Sequence, residues 1–282
     1  SRARFLIEDY PVSYVPSYAI LEKLQIPSHS NETVLIAGNP DFGVPSDNYT
    51  GQRKIELSDL YSRNINIAPL KYSEEEVETI ESYFSNDILL IGSDATETNI
   101  ISRLENSEII HLSTHSFLFD ENPVIVVGKD IENNGLIEPT EIAELDLNSN
   151  LVVLSSCKSG LGPLKGSEGI IGLQKAFFDA GARSVILSLW DVSDKHTAEL
   201  MAYFYDYLSK GYDKADALRE AKIKFISEVN PNPYYWAAFT LAGNSDKIEI
   251  REENSKIVLY FLFLLLLSTA TIFFIKNKIR LR

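Results

Sequence analysis

Cys157 is the only cysteine in the chain. It directly follows the apolar run LVVLSS and precedes KSGLG, which places it at the carboxyl end of a buried strand, on a glycine-containing turn. A second residue with chemical potential, His115, ends the run EIIHLSTH at the carboxyl end of another strand. In open parallel sheets, ligands bind in the crevice beyond the strand carboxyl ends. If the two strands are neighbours, thiol and imidazole meet there. The thiolate is the nucleophilic form, and a free thiol holds little of it at neutral pH. A nearby imidazole can take the proton and later return it to a leaving group. The alternative for a lone cysteine is an inert, buried small residue.

Other phosphate- or cofactor-directed readings of the same turn fail on spacing. A cysteine phosphatase needs an Arg six residues after the Cys, where this chain has Pro163. In GLGPLKGS the lysine falls one place too early for a P-loop, and a dinucleotide fingerprint counted from Gly160 meets Lys165 where it needs Gly. The turn is therefore read as flexible. No cofactor is expected, and one Cys with four His argues against a Cys/His metal cluster. The remaining histidines carry blander expectations: His111 packs or bonds inside its strand, His196 is solvated at a helix start, and His29 lies in a loop. Trp190, Trp236 and the Tyr234–Tyr235 pair read as core or subsite packing.

The elements that must position Cys157 and His115 are short apolar runs at 33–38, 88–92, 108–113, 123–128, 151–156 and 184–190. They are rich in Val, Ile and Leu, as suits strands covered on both faces. Helix-patterned segments alternate with them: SEEEVETIESYF from Ser73, then 95–105, 168–180, 194–209 and 213–229. The three glutamates after Ser73 suit the positive end of a helix. Gly181 and Gly211 fall where helices stop. The alternation predicts an α/β fold, a mostly parallel sheet flanked by helices. Residues 39–71 read as a long polar loop, and 1–31 as a lead-in segment.

Charge divides the chain of 282 residues, whose overall balance is 26 − 40 = −14. That balance argues against nucleic acid as a partner. The last acidic residue is Glu253, and five Lys or Arg follow it, so residues 1–253 carry 21 − 40 = −19 and the tail +5. Between them, Ile257–Ile275 (IVLYFLFLLLLSTATIFFI) has no charge over 19 residues. A helix of that length rises about 28 Å, near the hydrocarbon thickness of a bilayer. The expected organisation is a domain over 32–244, a linker over 245–256, a single C-terminal transmembrane helix over 257–275 and a basic tail over 276–282. A buried soluble helix is the alternative. The basic tail places the acidic domain outside the cytoplasm by the positive-inside rule. A tail-anchored cytoplasmic domain is the opposite orientation.

Four blocks, HLSTHS, LVVLSSCKSG, GARSVILSLWDVSD and NPYYWAAFTLAG, in this order and spacing, resemble the CHAT domain family, and FLIEDYPVSYVPSYAIL resembles its N-terminal region. The resemblance covers about residues 1–244. It implies a caspase–haemoglobinase fold and a separase-related cysteine endopeptidase acting on a protein or peptide substrate, often found behind tetratricopeptide repeats. By the family pattern, His115 is the base and Cys157 the nucleophile. The backbone N–H groups of Ser116 and Cys157 become candidate oxyanion donors; the family commonly has Gly or Ala where Ser116 stands, and Ala where Ser156 stands. Asp191 and Asp194 could line a pocket for a basic P1 residue, as in separase-like relatives, with a helix-capping role for Asp194 as the plainer alternative. A catalytically silent interaction module on a membrane-bound scaffold is the second function the resemblance allows.

Overall fold

A computed structural model describes residues 4–25, 33–42, 67, 69–119, 122–131, 133–155 and 166–248, with the side chains of 118, 119 and 166–171 set aside. The chain divides into a unit Ser1–Ile250 and a unit Arg251–Arg282. The apolar segment 257–275 and the basic tail lie outside the described residues. Among the described residues, no helix is long and apolar enough to cross a membrane.

In chain order the strands are β1 (Ser13–Tyr14), β2 (Thr33–Pro40), β3 (Asp87–Gly92), β4 (Ser107–Ser113), β5 (Ser116–Phe119), β6 (Asn122–Val126), β7 (Leu136–Ile137), β8 (Leu151–Leu154), β9 (Ser184–Ser188) and β10 (Phe239–Gly243). The helices are α1 (Tyr18–Leu24), α2 (Ser73–Glu81), α3 (Glu97–Leu104), α4 (Pro139–Ala143), α5 (Gly166–Ala180), α6 (Asp194–Ser209), α7 (Lys214–Glu228) and α8 (Pro233–Trp236). Seven strands form one sheet in the order β1-β10-β9-β8-β4-β2-β3. All neighbours are parallel except β10 with β9. The fold is therefore mixed α/β, with a mostly parallel sheet flanked by helices.

The apolar runs become strands because both faces are covered. One face of the sheet packs Leu35, Ile110, Leu112, Val152 and Leu154 against Ile100 of α3, Ile142 of α4 and Phe177 of α5. The other packs Ile36, Ile109, Val153 and Ile186 against Ile80 of α2, Phe204 and Tyr205 of α6, and Phe225 of α7. A strand buried on both sides has no need of polar alternation, and every residue of β4 is buried. Helix ends follow local chemistry: Thr96, Ser193 and Asp213 each accept a hydrogen bond from the backbone N–H three residues on, as N-caps do. Gly211, with φ at +82°, ends α6 in the left-handed region that glycine tolerates.

One strand expectation is corrected. The run at 123–128 does not enter the main sheet; its strand, β6, lies between β5 and β7 in a separate antiparallel sheet of three strands. Both sheets bury apolar side chains, so composition alone does not distinguish them. The opening segment also contributes structure: β1 pairs in parallel with β10 and closes one edge of the main sheet.

Candidate active site

β2 pairs with β3 on one side and β4 on the other, so the strand order reverses at the β2/β4 boundary. Such a reversal opens a crevice at the carboxyl ends of the strands. The site residues belong to the chain that leaves those ends.

His115 lies two residues past the end of β4 and is fully buried. Its ring stacks on Phe117 at 5.5 Å between centroids and faces Phe42, which follows β2, at 5.4 Å. Phe42 and Phe117 belong to an apolar cluster with Ile67, Val124, Val126 and Leu136, which couples the small sheet to the site. The backbone around His115 is tied to β6: Val126 N–H donates to the His115 carbonyl at 2.8 Å, and the Thr114 hydroxyl donates to the Val126 carbonyl.

Cys157 and Ser156 lie outside the described residues, but the strand leading to them is well placed. β4 and β8 are adjacent and parallel, with Leu112 opposite Leu154. His115 is three residues beyond Leu112, and Cys157 three residues beyond Leu154. The Ser155 N–H still bonds the Leu112 carbonyl at 3.1 Å, so the two chains remain in register as they leave the sheet.

Ser116 opens β5 opposite Ile125. Because Val126 N–H bonds the carbonyl of His115 rather than that of Ser116, Ser116 and Ile125 form a non-hydrogen-bonded pair. In that pairing the Ser116 N–H is directed away from β6. Asp191 lies three residues past the end of β9, and Asp194 is the first residue of α6. β9 is the neighbour of β8 and parallel to it, so both aspartates leave the same end of the sheet as His115, with β8 between β4 and β9. The cap of α6 is Ser193, not Asp194.

His196 is not simply solvated: it stacks on Tyr235 at 4.1 Å, and its Nδ1 lies 2.6 Å from the Ser193 hydroxyl. Trp190 donates its indole N–H to the Tyr234 carbonyl at 2.8 Å, and Trp236 is buried against Phe5.

His111, two residues inside the end of β4, is a structural histidine. Its Nε2 lies 3.0 Å from Glu76 Oε1 of α2, and its Nδ1 lies 3.1 Å from the Tyr205 hydroxyl of α6. Burial, helped by the nearby Glu76, pushes the Tyr205 hydroxyl well above its usual pKa, so it remains a donor. Ser113 donates to Glu76 Oε2 at 3.0 Å. Glu76 is itself buried. Its sequence position among three glutamates reads as helix-dipole decoration, and nothing in that run separates the buried one from its neighbours. Phe117 was more legible: it is two residues after His115, so an extended chain puts both side chains on one face.

Among the described residues, no group of His, Cys, Asp and Glu could hold a metal ion. At this end of the sheet stand an imidazole past the end of β4 and a backbone N–H turned out of the small sheet, and in sequence the cysteine follows the neighbouring strand. A mixed α/β domain with these features at one sheet end has the architecture of the caspase-like proteins. The chain matches the CHAT domain over residues 1–244 and belongs to that family.

The chain is similar to tetratricopeptide repeat protein 28 of mouse and of human, 28% identical over 217 and 221 residues, covering 64% of this chain and 9% of each relative. It thus spans about one-tenth of their length. Separase in the Saccharomyces cerevisiae separase–securin complex superposes with a TM-score of 0.51 at 17% identity, covering 86% of this chain and 14% of that one. The Arg-specific cysteine proteinase gingipain R aligns with a TM-score of 0.49 at 12% identity, over 77% of this chain and 47% of that one.

Proposed function

We propose that this chain is a cysteine endopeptidase with a His115–Cys157 dyad. The observation that carries the reading is the shared offset of the two residues beyond paired positions of adjacent parallel strands. In this reaction the Cys157 sulfur, having passed its proton to His115, attacks the peptide carbonyl carbon. The tetrahedral intermediate collapses, the C–N bond breaks, and His115 returns the proton to the leaving amine. Water, deprotonated by His115, then attacks the thioester and releases the acid and the thiol. The N–H groups of Ser116 and Cys157 hold the oxyanion; such donors are each worth about 3 kcal/mol. The outward direction of the Ser116 N–H supports that role.

Asp191 and Asp194 favour Arg or Lys at P1. A peptide library with no basic preference, or one whose preference survives Asp191→Ala and Asp194→Ala, excludes this pocket. The relatives named for tetratricopeptide repeats support an upstream repeat domain as regulator, and the proposed partner is a protein or peptide substrate. Ile257–Ile275 is proposed as the single membrane anchor, with the acidic domain outside the cytoplasm. Release of the chain from membranes by alkaline carbonate would count against the anchor.

The central test is alkylation. Cys157 is the only thiol of this chain, so iodoacetamide uptake by the chain reports it alone. It should react faster than a free thiol at neutral pH, and His115→Ala should remove the excess. Peptide cleavage should disappear with Cys157→Ala. A thiol of ordinary reactivity with no cleavage would leave a silent interaction module.

A further inference from the structure

We infer that the first turn of α2 is a clamp that positions the general base, with Ser73 and Glu76 as positioning residues for His115. The inference rests on the dyad reading for its catalytic meaning, but its geometry stands apart from Cys157. Ser73 donates its hydroxyl to the Ser113 carbonyl at 2.6 Å and accepts from the Asn39 backbone N–H at 2.8 Å. One turn of helix further on, Glu76 accepts from the Ser113 hydroxyl and bonds His111, 3.0 Å in each case. α2 therefore grips β4 at both the main chain and the side chain of residue 113, two residues before His115.

The same serine fixes the opposite wall. Asn39 sits in the left-handed region at φ +43°, and its side-chain amide donates to Glu74 Oε2 at 2.9 Å. Three residues later the chain reaches Phe42, which faces the His115 ring. A polar non-glycine residue held left-handed by two bonds to one helix turn marks a fixed exit from β2. The crossing is close: a Cβ at Gly38 would lie 2.6 Å from Val77 Cγ1, 2.8 Å from Ser73 Oγ and 3.3 Å from Ser113 Cβ. Only glycine lets β2, β4 and α2 meet there.

His115 is thereby held from two directions. Beyond it, β6 binds its carbonyl and the Thr114 hydroxyl. Before it, α2 binds Ser113. A buried hydrogen-bonded network of this kind has few alternative arrangements, and small displacements of a catalytic group are costly in rate. Glu76 and Ser73 touch neither a substrate nor the His115 ring; they act through the backbone.

The test uses the full chain labelled with 13C-histidine, whose four histidines give four ring signals, together with Cys157 alkylation. The His115 signal is assigned by its loss in His115→Ala. Glu76→Gln and Ser73→Ala should each shift the His115 signal in the folded protein and slow alkylation about tenfold. Ile80→Val trims the buried face of the same helix away from the clamp and should leave both unchanged. If Glu76→Gln does not fold, Ser73→Ala, which removes one hydroxyl, carries the test. An unmoved His115 signal in the variants that fold overturns the clamp, whatever alkylation does. A wild-type thiol of ordinary reactivity overturns the dyad instead, and a shifted His115 signal would then still support the clamp.

Discussion

Two histidines four residues apart on one chain segment show how differently the same side chain can be used. The His111 ring faces α2 and α6, with both nitrogens within hydrogen-bond distance of buried partners. The His115 ring lies past the strand end among Phe42 and Phe117. Both are fully buried, so exposure does not separate them. What separates them is what the described structure puts around each ring: polar side chains of two helices for His111, and aromatic rings past a strand end for His115. A histidine locked between a carboxyl and a phenol holds a strand in place. One resting on aromatic rings past the strand end is, under the proposed dyad, the one that moves a proton.

The comparison is broken most directly by substituting the two residues in turn. His115→Ala should lower Cys157 alkylation and peptide cleavage by about 100-fold or more, and His111→Ala should lower them much less. Equal losses, measured per folded molecule, would erase the distinction. The order should reverse for stability. His111→Ala leaves Glu76 and Tyr205 buried without the ring between them, and urea unfolding should show a loss of about 3 kcal/mol.

Gly38→Ala probes the junction that links the two environments. The added methyl meets Val77, Ser73 and Ser113, and overpacking should cost about 2 kcal/mol in the same unfolding assay. A neutral result would mean that the β2–α2–β4 contact is soft, and that His111's side of the sheet does not constrain His115's side.

The last effect concerns α7, which packs on the same face of the sheet as α2 and α6. Burial lowers Lys214 and Lys222 to about 8 from the usual 10.5. Lys222 donates to the Phe239 carbonyl at 2.6 Å. A lysine whose folded pKa is depressed binds fewer protons when folded. Its penalty is fully present below pH 8 and is relieved as pH rises toward the unfolded value. Unfolding free energy should therefore increase by roughly 2 kcal/mol per lysine between pH 7 and 10. Lys222→Met should flatten its share of that rise, followed by denaturant melts across the range. Above about pH 10 the raised Tyr205 works the other way, because the unfolded phenol ionises first.

Much of the scaffold could be read from local pattern. The runs at 33–38, 88–92, 108–113, 151–156 and 184–190 all lead into strands of the main sheet, and the five helical segments form helices within two residues of their expected starts. Apolar runs with flanking caps and glycines are local signals, and buried parallel strands amplify them. The short strands β1, β5, β7 and β10 carry no comparable strand signal in the sequence. Two-residue pairings such as β1 and β7 have no period to detect, and β10 is one strand of an aromatic-rich block that reads equally well as packing.

The site was legible in part for the same reason. That His115 and Cys157 each follow an apolar run, and that Phe117 shares a face with His115, are matters of one-dimensional spacing, which the chain states directly. That β4 and β8 are neighbours in the register that gives those residues equal offsets, that Glu76 alone of its acidic run turns inward, and that Gly38 lies beneath Ser73 are matters of which distant segments meet. Such meetings are set by the summed burial of both sheet faces, and no local pattern encodes them. The residue types and their spacing thus determined the chemistry available to this chain; only the packed structure decided which side chains stand beside it and hold it still.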